Sequence, residues 1–280
     1  MALVTGASRG VGRGIALGLG EAGATVYVTG RTEVEGTSAA RLPGSVHATA
    51  AQVTEIGGTG IAVPCDAGDD GQLAVVVRRV EEEHGRLDVL VNSVWGGYER
   101  FTDGSEFNPG PFWEQPLGLW DSMHRVGVRA HYVTSALAAP LMVRAGAGLI
   151  VSISSFAGQV YVPPVSYGVA HAAIDRMARD MAEELRPCGV ASVSLYPGLV
   201  LTESVQANLQ YFANQTNRET PLFVGRVVAA LAGDRDVMRV SGQWLVAAEV
   251  AAELDVVDEH GRAPHSNRSE ILGRPEPGSE

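Results

Sequence analysis

The chain has 280 residues, 45% of them hydrophobic, which is enough apolar material for one large globular domain. Its formal net charge of −11 makes nucleic acid and anionic membranes poor partners, and no uninterrupted apolar run reaches the roughly 18 residues of a membrane span. Cys65 and Cys188 show no metal-binding or redox spacing, and all 21 basic residues are arginine. We therefore expect a cytoplasmic protein with no metal site.

The first residues predict a strand, a glycine-rich turn and a helix in direct succession. The three apolar residues Ala2, Leu3 and Val4 predict a short buried strand, and the spacing Thr5-Gly6-x-x-x-Gly10-x-Gly12 follows at once. A helix N-terminus presents unpaired backbone N–H groups, and glycines let a phosphate approach them closely. This stretch therefore predicts a nucleotide-phosphate site.

Strand and helix patterns alternate along the rest of the chain. Further strands are predicted at 25–29, 60–64, 87–91, 148–153, 189–195 and 242–246, and helices at 46–56, 73–83, 117–143, 166–185 and 223–232. The alternation predicts an α/β fold with a single doubly wound parallel sheet and helices on both faces. In such sheets, ligands bind beyond the carboxyl ends of the strands.

Two long connections, 93–116 and 199–221, follow predicted strands and are expected to contact a substrate. Their aromatic and apolar residues, together with Tyr211, Phe212 and Phe223, predict a roomy apolar pocket. We place one domain at 1–258 and interpret 259–280, which is polar and rich in proline and glycine, as an extended or partly disordered tail.

Six motifs in order carry a family resemblance. They are the glycine turn, Cys65-Asp66 after the third strand, Asn92-Ser93-Val94-Trp95-Gly96, Ile153-Ser154-Ser155-Phe156-Ala157-Gly158, Tyr167-x-x-x-His171, and Pro197-Gly198 followed by Thr202. From residue 2 to about 250, the chain resembles the short-chain dehydrogenase/reductase family. Within it, the stretches 112–114 and 126–132 resemble the dehydrogenase/reductase member 1 branch. The resemblance implies a Rossmann fold and a homodimer or homotetramer packed through the helices at 117–143 and 166–185.

The resemblance also implies a reaction between a carbonyl and an alcohol on a small molecule. Tyr167 would act as the acid or base and Ser155 would hold the carbonyl oxygen, although a one-residue slip to Ser154 stays open. His171 completes the predicted catalytic set. The implied cofactor contacts are Thr5, Gly6, Ser8, Arg9, Gly10, Val11, Gly12, Arg31, Asp66, Asn92, Tyr167, His171, Pro197, Gly198, Val200 and Thr202.

Arg31 follows the second strand, where an acidic residue would bind the ribose 2′-hydroxyl of NAD. An arginine there favours the 2′-phosphate of NADP, and Arg9 in the glycine turn could add a second cation. We predict NADP in preference to NAD. The alternative is that Arg31 is only a surface cation.

Two residues depart from the family pattern. His171 replaces the lysine, whose implied roles are to bind the nicotinamide ribose and to lower the pKa of the tyrosine. With an ordinary pKa of about 6.5, His171 predicts turnover that rises as the pH falls from about 8 to 5.5, and a gain on His171→Lys. Gly127 stands in a helix where many members carry asparagine, which indicates a close approach or a local irregularity.

Two functions are therefore carried forward. The first is an NADP-dependent oxidoreductase acting on a small, hydrophobic carbonyl or alcohol, with an altered proton relay. The second is a catalytically silent nucleotide-binding or structural subunit that has kept the fold, for which loss of the lysine is the main argument. The other histidines singled out, His84, His124 and His131, are interpreted as structural.

Overall fold

A computed structural model describes residues 1–38, 41–97 and 110–273. Within these ranges the main sheet has seven parallel strands in the order β3-β2-β1-β4-β5-β6-β9. The strands are β1 (Ala2–Thr5), β2 (Thr25–Gly30), β3 (Thr59–Pro64), β4 (Val89–Asn92), β5 (Gly148–Ile153), β6 (Val190–Tyr196) and β9 (Trp244–Val246). A separate two-stranded ladder joins β7 (Leu199–Val200) to β8 (Arg218–Glu219). This arrangement confirms the predicted doubly wound parallel sheet.

The helices cover both faces of this sheet. They are α1 (Gly10–Glu21), α2 (Val46–Glu55), α3 (Asp70–His84), α4 (Leu117–Ser122), α5 (Ala130–Ala145), α6 (Val165–Leu185), α7 (Glu203–Ala207), α8 (Pro221–Gly233), α9 (Ala247–Glu253) and α10 (Arg268–Leu272). Side chains alternate across each strand, so Val4 joins a core with α1, α2 and α8, while Leu3 joins a second core with α3 and α5.

The helix predicted over 117–143 is interrupted in the structure. Helices α4 and α5 are joined by a π-helical segment, Met123–Arg129, which contains Gly127. Single wide turns of this kind occur where a local demand overrides regular helix hydrogen bonding, often at functional sites. The irregularity predicted from Gly127 is therefore confirmed, and its cause is found in the site described below.

The segment 199–221 also differs from a plain loop. It contains β7, the short helix α7 and β8. Short paired strands of two residues give no periodic signal in a sequence, which is why the pattern missed them. They hold this segment against the carboxyl end of the sheet.

The described part of the tail, residues 259–273, packs against the preceding domain. The Arg268 guanidinium lies 4.0 Å from the centroid of the Trp244 ring and donates to Glu249 at 2.6 Å. Asn217 donates to the backbone oxygen of His265 at 2.7 Å. These contacts attach residues 259–273 to the domain, whereas the sequence analysis expected an extended or partly disordered tail. Residues 274–280 lie outside the described residues. Among the helices described, none is long and apolar enough to cross a membrane.

Candidate active site

The glycine turn between β1 and α1 is packed tightly against the end of β4. Gly6 has a φ of +67°, and a Cβ there would lie 2.6 Å from the Cα of Val94. A Cβ on Gly12 would overlap the Gly6 carbonyl. The Thr5 hydroxyl accepts from the backbone N–H groups of Ser93 at 3.2 Å and Val94 at 3.3 Å. The spacing of glycines thus creates a close backbone turn that side chains would prevent.

The start of α1 binds an oxyanion in this structure. The Glu203 carboxylate accepts from the Gly10 N–H at 2.8 Å and lies 3.7 Å from the guanidinium of Arg13. The N-terminus of a helix favours negative charge because its first N–H groups have no partners within the helix. The same turn is therefore suited chemically to a dinucleotide pyrophosphate.

Positive charge gathers beside this turn, at the end of β2. Arg9 donates to the Thr32 hydroxyl at 3.1 Å and to the Gly44 carbonyl at 3.0 Å, so its guanidinium is held in place. Burial lowers the pKa of Arg9, opposed by the Glu203 charge, and the nearby Arg31 charge lowers it further. Arg9 and Arg31 therefore place positive charge in the same region. Such a pair of guanidinium groups suits the binding of a phosphate group.

Other predicted cofactor residues lie at neighbouring strand ends. Asn92 closes β4 and donates to the Ser135 hydroxyl at 2.9 Å, while its buried Oδ1 has no partner among the described residues. The Asp66 carboxylate accepts from the Gly68 N–H at 2.9 Å. Ser8 is buried and Val11 half-buried within the glycine turn. These residues all lie close to the carboxyl ends of the parallel strands.

The segment 197–202, which we call the clasp, includes β7 and contains four predicted cofactor residues, Pro197, Gly198, Val200 and Thr202. The Thr202 hydroxyl caps α7 by accepting from the Val205 N–H at 3.3 Å. Beneath the clasp lies Glu219, which the sequence analysis missed. Its side chain is buried against Gly198, and one carboxylate oxygen has no partner among the described residues. Burial raises the pKa of Glu219 to about 7, opposed by the Gly198 backbone.

Ser155 and Tyr167 meet at the carboxyl end of β5. The Ser155 hydroxyl accepts from the Ala157 N–H at 3.2 Å and lies near enough to the Tyr167 phenol to affect its pKa. Burial raises the pKa of Tyr167, and the Ser155 hydroxyl opposes that rise. The phenol is therefore kept protonated, the state needed for donating a proton to a carbonyl oxygen. Ser154 faces a different neighbour, as described next.

His171 is enclosed on several sides. Its ring stacks on Trp95 with centroids 4.6 Å apart and planes 5° from parallel, and it meets the edge of the Tyr167 ring at 4.3 Å. The Ser154 hydroxyl lies 3.3 Å from Nδ1. Burial lowers the pKa of His171 to about 3, with a smaller contribution from His131. The predicted titration between about pH 5.5 and 8 is contradicted, because the imidazole stays neutral throughout that range.

Gly127 makes room for the Trp95 ring. A Cβ at position 127 would lie 2.7 Å from that indole. The departures at 127 and 171 are therefore connected through a third residue, because Trp95 fills the space beside Gly127 and stacks on His171. The sequence analysis quoted Trp95 without a role, and no local pattern links residues 32 and 76 positions apart. The buried Trp95 Nε1 has no partner among the described residues.

The expected apolar pocket is only partly described. Phe223 belongs to the core and is fully buried, so its predicted place in a pocket is wrong. Phe112, Trp113 and Tyr211 are exposed, and the predicted pocket aromatics Tyr98, Phe101 and Phe107 lie outside the described residues. In the described ranges, no three His, Cys, Asp or Glu side chains group as metal ligands.

Comparisons with known proteins agree with this architecture. Residues 1–211 match the family model for short chain dehydrogenase. The chain is 41% identical over 276 residues to dehydrogenase/reductase SDR family member 1 of Mus musculus, covering 93% of this chain and 83% of that protein. Its identity to the Homo sapiens protein of the same name is 39% over 273 residues, with the same coverages.

A solved structure extends the comparison to a complex. A 7α-hydroxysteroid dehydrogenase bound to NADH and 7-oxo glycochenodeoxycholic acid superposes with a TM-score of 0.72 at 25% identity, covering 88% of this chain and 91% of that one. Members of this family bind NAD(P)H, and the dehydrogenase and reductase relatives support an oxidoreductase. Taken with the glycine turn, the sheet order and the curated relatives, these matches show that the chain belongs to the short-chain dehydrogenase/reductase family.

Proposed function

We propose that this chain is an NADP(H)-dependent oxidoreductase that interconverts a carbonyl and an alcohol on a small, hydrophobic substrate. The observation that carries the proposal is the grouping of Ser155, Tyr167 and His171 beyond the carboxyl end of β5, where Ser155 affects the pKa of Tyr167 and the Tyr167 and His171 rings lie 4.3 Å apart. The glycine turn opens at the same edge, beyond β1. A dinucleotide held by that turn would have its reactive end near the phenol.

Each catalytic side chain has a definable task. The cofactor, when bound, supplies or accepts the hydride. Tyr167 donates a proton to the carbonyl oxygen during reduction and takes one back during oxidation, while Ser155 donates a hydrogen bond to the same oxygen. His171 lies against Tyr167, and its Nε2, which has no partner among the described residues, is available to a hydroxyl group. These tasks need no titration of His171 at neutral pH.

The choice of NADP rests on Arg9 and Arg31. Both influence the region at the end of β2, and the electrostatic effect of Arg31 reaches Arg9. A guanidinium binds phosphate oxygens through charge-assisted hydrogen bonds, whereas the 2′-hydroxyl of NAD offers no charge to match. Two arginines in this place therefore support NADP over NAD.

The substrate and the assembly are proposed at the level of chemistry. Exposed aromatic residues of the two substrate connections, Phe112, Trp113 and Tyr211, favour an apolar carbonyl compound. The outer faces of α5 and α6 expose Tyr132, Val165 and Val169, which supports packing as a homodimer or homotetramer.

A silent nucleotide-binding subunit is the second candidate. It is favoured by one observation, the burial that holds His171 neutral, because a neutral imidazole cannot supply the fixed charge of the family lysine. Nucleotide binding without turnover would be its signature.

The direct test measures NADPH oxidation with a panel of hydrophobic ketones and aldehydes, comparing the wild type with Tyr167→Phe. We expect Tyr167→Phe to lower kcat by about 10²- to 10⁴-fold while NADPH affinity stays the same. Tyr132→Phe, a change on the exposed face of α5, is the matched control and should retain full turnover. Equal rates for Tyr167→Phe and wild type would exclude Tyr167 as the proton donor, and NADPH binding with no turnover would support the silent subunit.

A further inference from the structure

The last described part of the chain links two segments that lie near the candidate active site. Residues 259–272, which we call the strap, begin beside Thr220, whose hydroxyl donates to the Glu259 carboxylate at 2.6 Å. They end in α10, where Leu272 packs against the apolar cluster that contains Phe156. The strap therefore connects the long segment before α8 with the loop that follows β5.

The first anchor of the strap is the side chain of Asn217. Its Nδ2 donates to the backbone oxygen of His265 at 2.7 Å and to Oδ1 of Asn267 at 2.8 Å. Its own Oδ1 accepts from the N–H of His265 at 3.4 Å. Because the amide both donates and accepts, the direction in which it faces is fixed. One side chain thus makes three hydrogen bonds to the strap, and it directly precedes β8.

The second anchor is the guanidinium of Arg268 at the start of α10. It donates to the two carboxylate oxygens of Glu249 at 2.7 and 2.6 Å and lies over the Trp244 ring. The Ser266 hydroxyl donates to the same carboxylate at 2.7 Å. Only 17% of the Arg268 side chain and 24% of the Glu249 side chain are exposed, so solvent screens this pair less than a surface ion pair.

Strand β8 relates the position of the strap to that of the clasp. It pairs with β7, which belongs to the clasp, at two positions, and the Leu201 N–H donates to the Glu219 carbonyl at 2.9 Å. A two-stranded ladder on its own is marginally stable at best. Asn217 and Thr220 flank β8, and the side chains of both are bonded to the strap. The strap therefore supports the ladder that holds the clasp.

Building on the proposed function, we propose that Asn217 and Arg268 are positioning residues for the cofactor, because they hold the strap against β8 and thereby keep the clasp beside a bound NADP(H). A segment with fewer contacts opens more often, and a ligand leaves faster when a segment that covers it opens more often. The rate of cofactor release is therefore the quantity that these two residues control.

The first test needs no cofactor, because it measures hydrogen exchange by NMR in the free, full-length chain. Asn217→Asp removes the hydrogen-bond donor and places a negative charge against the His265 carbonyl. We expect the Leu201 amide to exchange about tenfold faster, while the Val151 amide in β5 is unchanged. Asn214→Asp, at an exposed position in the same segment, is the matched control. Unchanged exchange at Leu201 in Asn217→Asp would overturn the proposal.

The second test measures the rate constant for NADPH dissociation by stopped-flow fluorescence, with excess NADP⁺ as the displacing ligand. Asn217→Asp and Arg268→Ala should each raise it about 5- to 20-fold. Arg144→Ala, which breaks an exposed ion pair with Glu81 between α3 and α5, should leave it within about twofold of the wild type. A lower unfolding temperature of the two strap variants with an unchanged dissociation rate would show a merely structural role and overturn the proposal.

The double variant Asn217→Asp/Arg268→Ala tests whether the two anchors act through one strap. Its NADPH dissociation rate should exceed that of the faster single variant by less than about twofold, because either substitution already releases the strap. Effects that multiply would contradict a single strap. Failure of the wild type to bind NADPH would remove the proposed function, whereas exchange at Leu201 would still report whether the strap holds the clasp.

Discussion

Two regions of the molecule meet at one edge of the sheet and differ in how closely they follow their family. The cofactor end, comprising the glycine turn with Arg9 and Arg31, has the glycines that the motif requires. The proton-transfer end, comprising Ser155, Tyr167, His171 and Trp95, keeps the serine and tyrosine but replaces the lysine. Its replacement is not isolated, since Trp95 stacks on His171 and Gly127 leaves space for the indole. The glycine turn thus matches the family pattern throughout, whereas the proton-transfer end departs from it at His171 and Gly127, two positions that both contact Trp95.

The largest expected effect lies between the two regions, at Glu219 under the clasp. Its pKa rises from an ordinary 4.5 to about 7 through burial. A carboxyl with a raised pKa binds its proton more tightly in the folded state than in the unfolded state. The contribution of Glu219 to the free energy of unfolding therefore falls as the pH rises from 4.5 to 7, and it stays constant above pH 7. The shift amounts to about 3 kcal/mol. Relative to the wild type, the free energy of unfolding of Glu219→Gln should therefore increase by up to about 3 kcal/mol as the pH rises from 4.5 to 8.

Urea unfolding at pH 4.5 and pH 8 measures this difference. Glu184→Gln, an exposed glutamate on α6, is the control and should leave the pH dependence of the free energy of unfolding unchanged. A difference between Glu219→Gln and wild type that does not vary with pH would mean that Glu219 is not buried as a neutral acid.

At the cofactor end, Arg31→Asp should invert the preference between nucleotides. An aspartate repels the 2′-phosphate of NADPH and can accept a hydrogen bond from the 2′-hydroxyl of NADH. We expect the Kd for NADPH to rise about 10- to 100-fold and the Kd for NADH to fall. Isothermal titration with both nucleotides checks this, and Arg78→Asp on α3 serves as a charge-matched control. An unchanged NADPH affinity would make Arg31 a simple surface cation.

At the proton-transfer end, Gly127→Ala should disturb the stack. The new Cβ would lie 2.7 Å from the Trp95 ring. Overpacking costs about 1–3 kcal/mol, partly offset by the better helix propensity of alanine. A net loss of about 1–2 kcal/mol in the free energy of unfolding, with a change in tryptophan fluorescence, is the expected result. Gly233→Ala is the control, because a Cβ there meets nothing within 4 Å, and it should be neutral or stabilising. Equal changes in the free energy of unfolding for the two variants would contradict the close packing of Trp95 against Gly127.

The smallest effect concerns Glu203, whose carboxylate accepts from Gly10 at the start of α1. A pyrophosphate on the same helix start would be repelled by that charge. Glu203→Ala should therefore bind NADPH about two- to fivefold more tightly in a fluorescence titration at low salt, with the gain shrinking as salt is added. Weaker binding would mean that the bond between Glu203 and Gly10 supports the structure of the site instead.

The backbone turn between β1 and α1 could be predicted because its determinants are local. Gly6, Gly10 and Gly12 lie within seven residues, and the backbone turn they allow follows from their missing side chains. The parallel, doubly wound sheet followed from the alternation of strands and helices, whereas the order of its strands was not predicted. The proton-transfer end could not be predicted in the same way, because Trp95, Gly127 and His171 come from three distant segments. The neutral state of His171 depends on burial, which the ordinary pKa used in the sequence analysis ignores. Glu219 was missed because a lone glutamate in a connection carries no motif.

The measurement that tests the central claim most directly is a titration of the purified chain with NADPH, followed by nicotinamide fluorescence, with NADH as the comparison. Saturable NADPH binding at least about tenfold tighter than NADH binding is the predicted result, because we propose that the glycine turn binds the pyrophosphate and that Arg9 and Arg31 bind the 2′-phosphate. Binding of neither nucleotide would contradict the account, since the fold would then be kept without its cofactor.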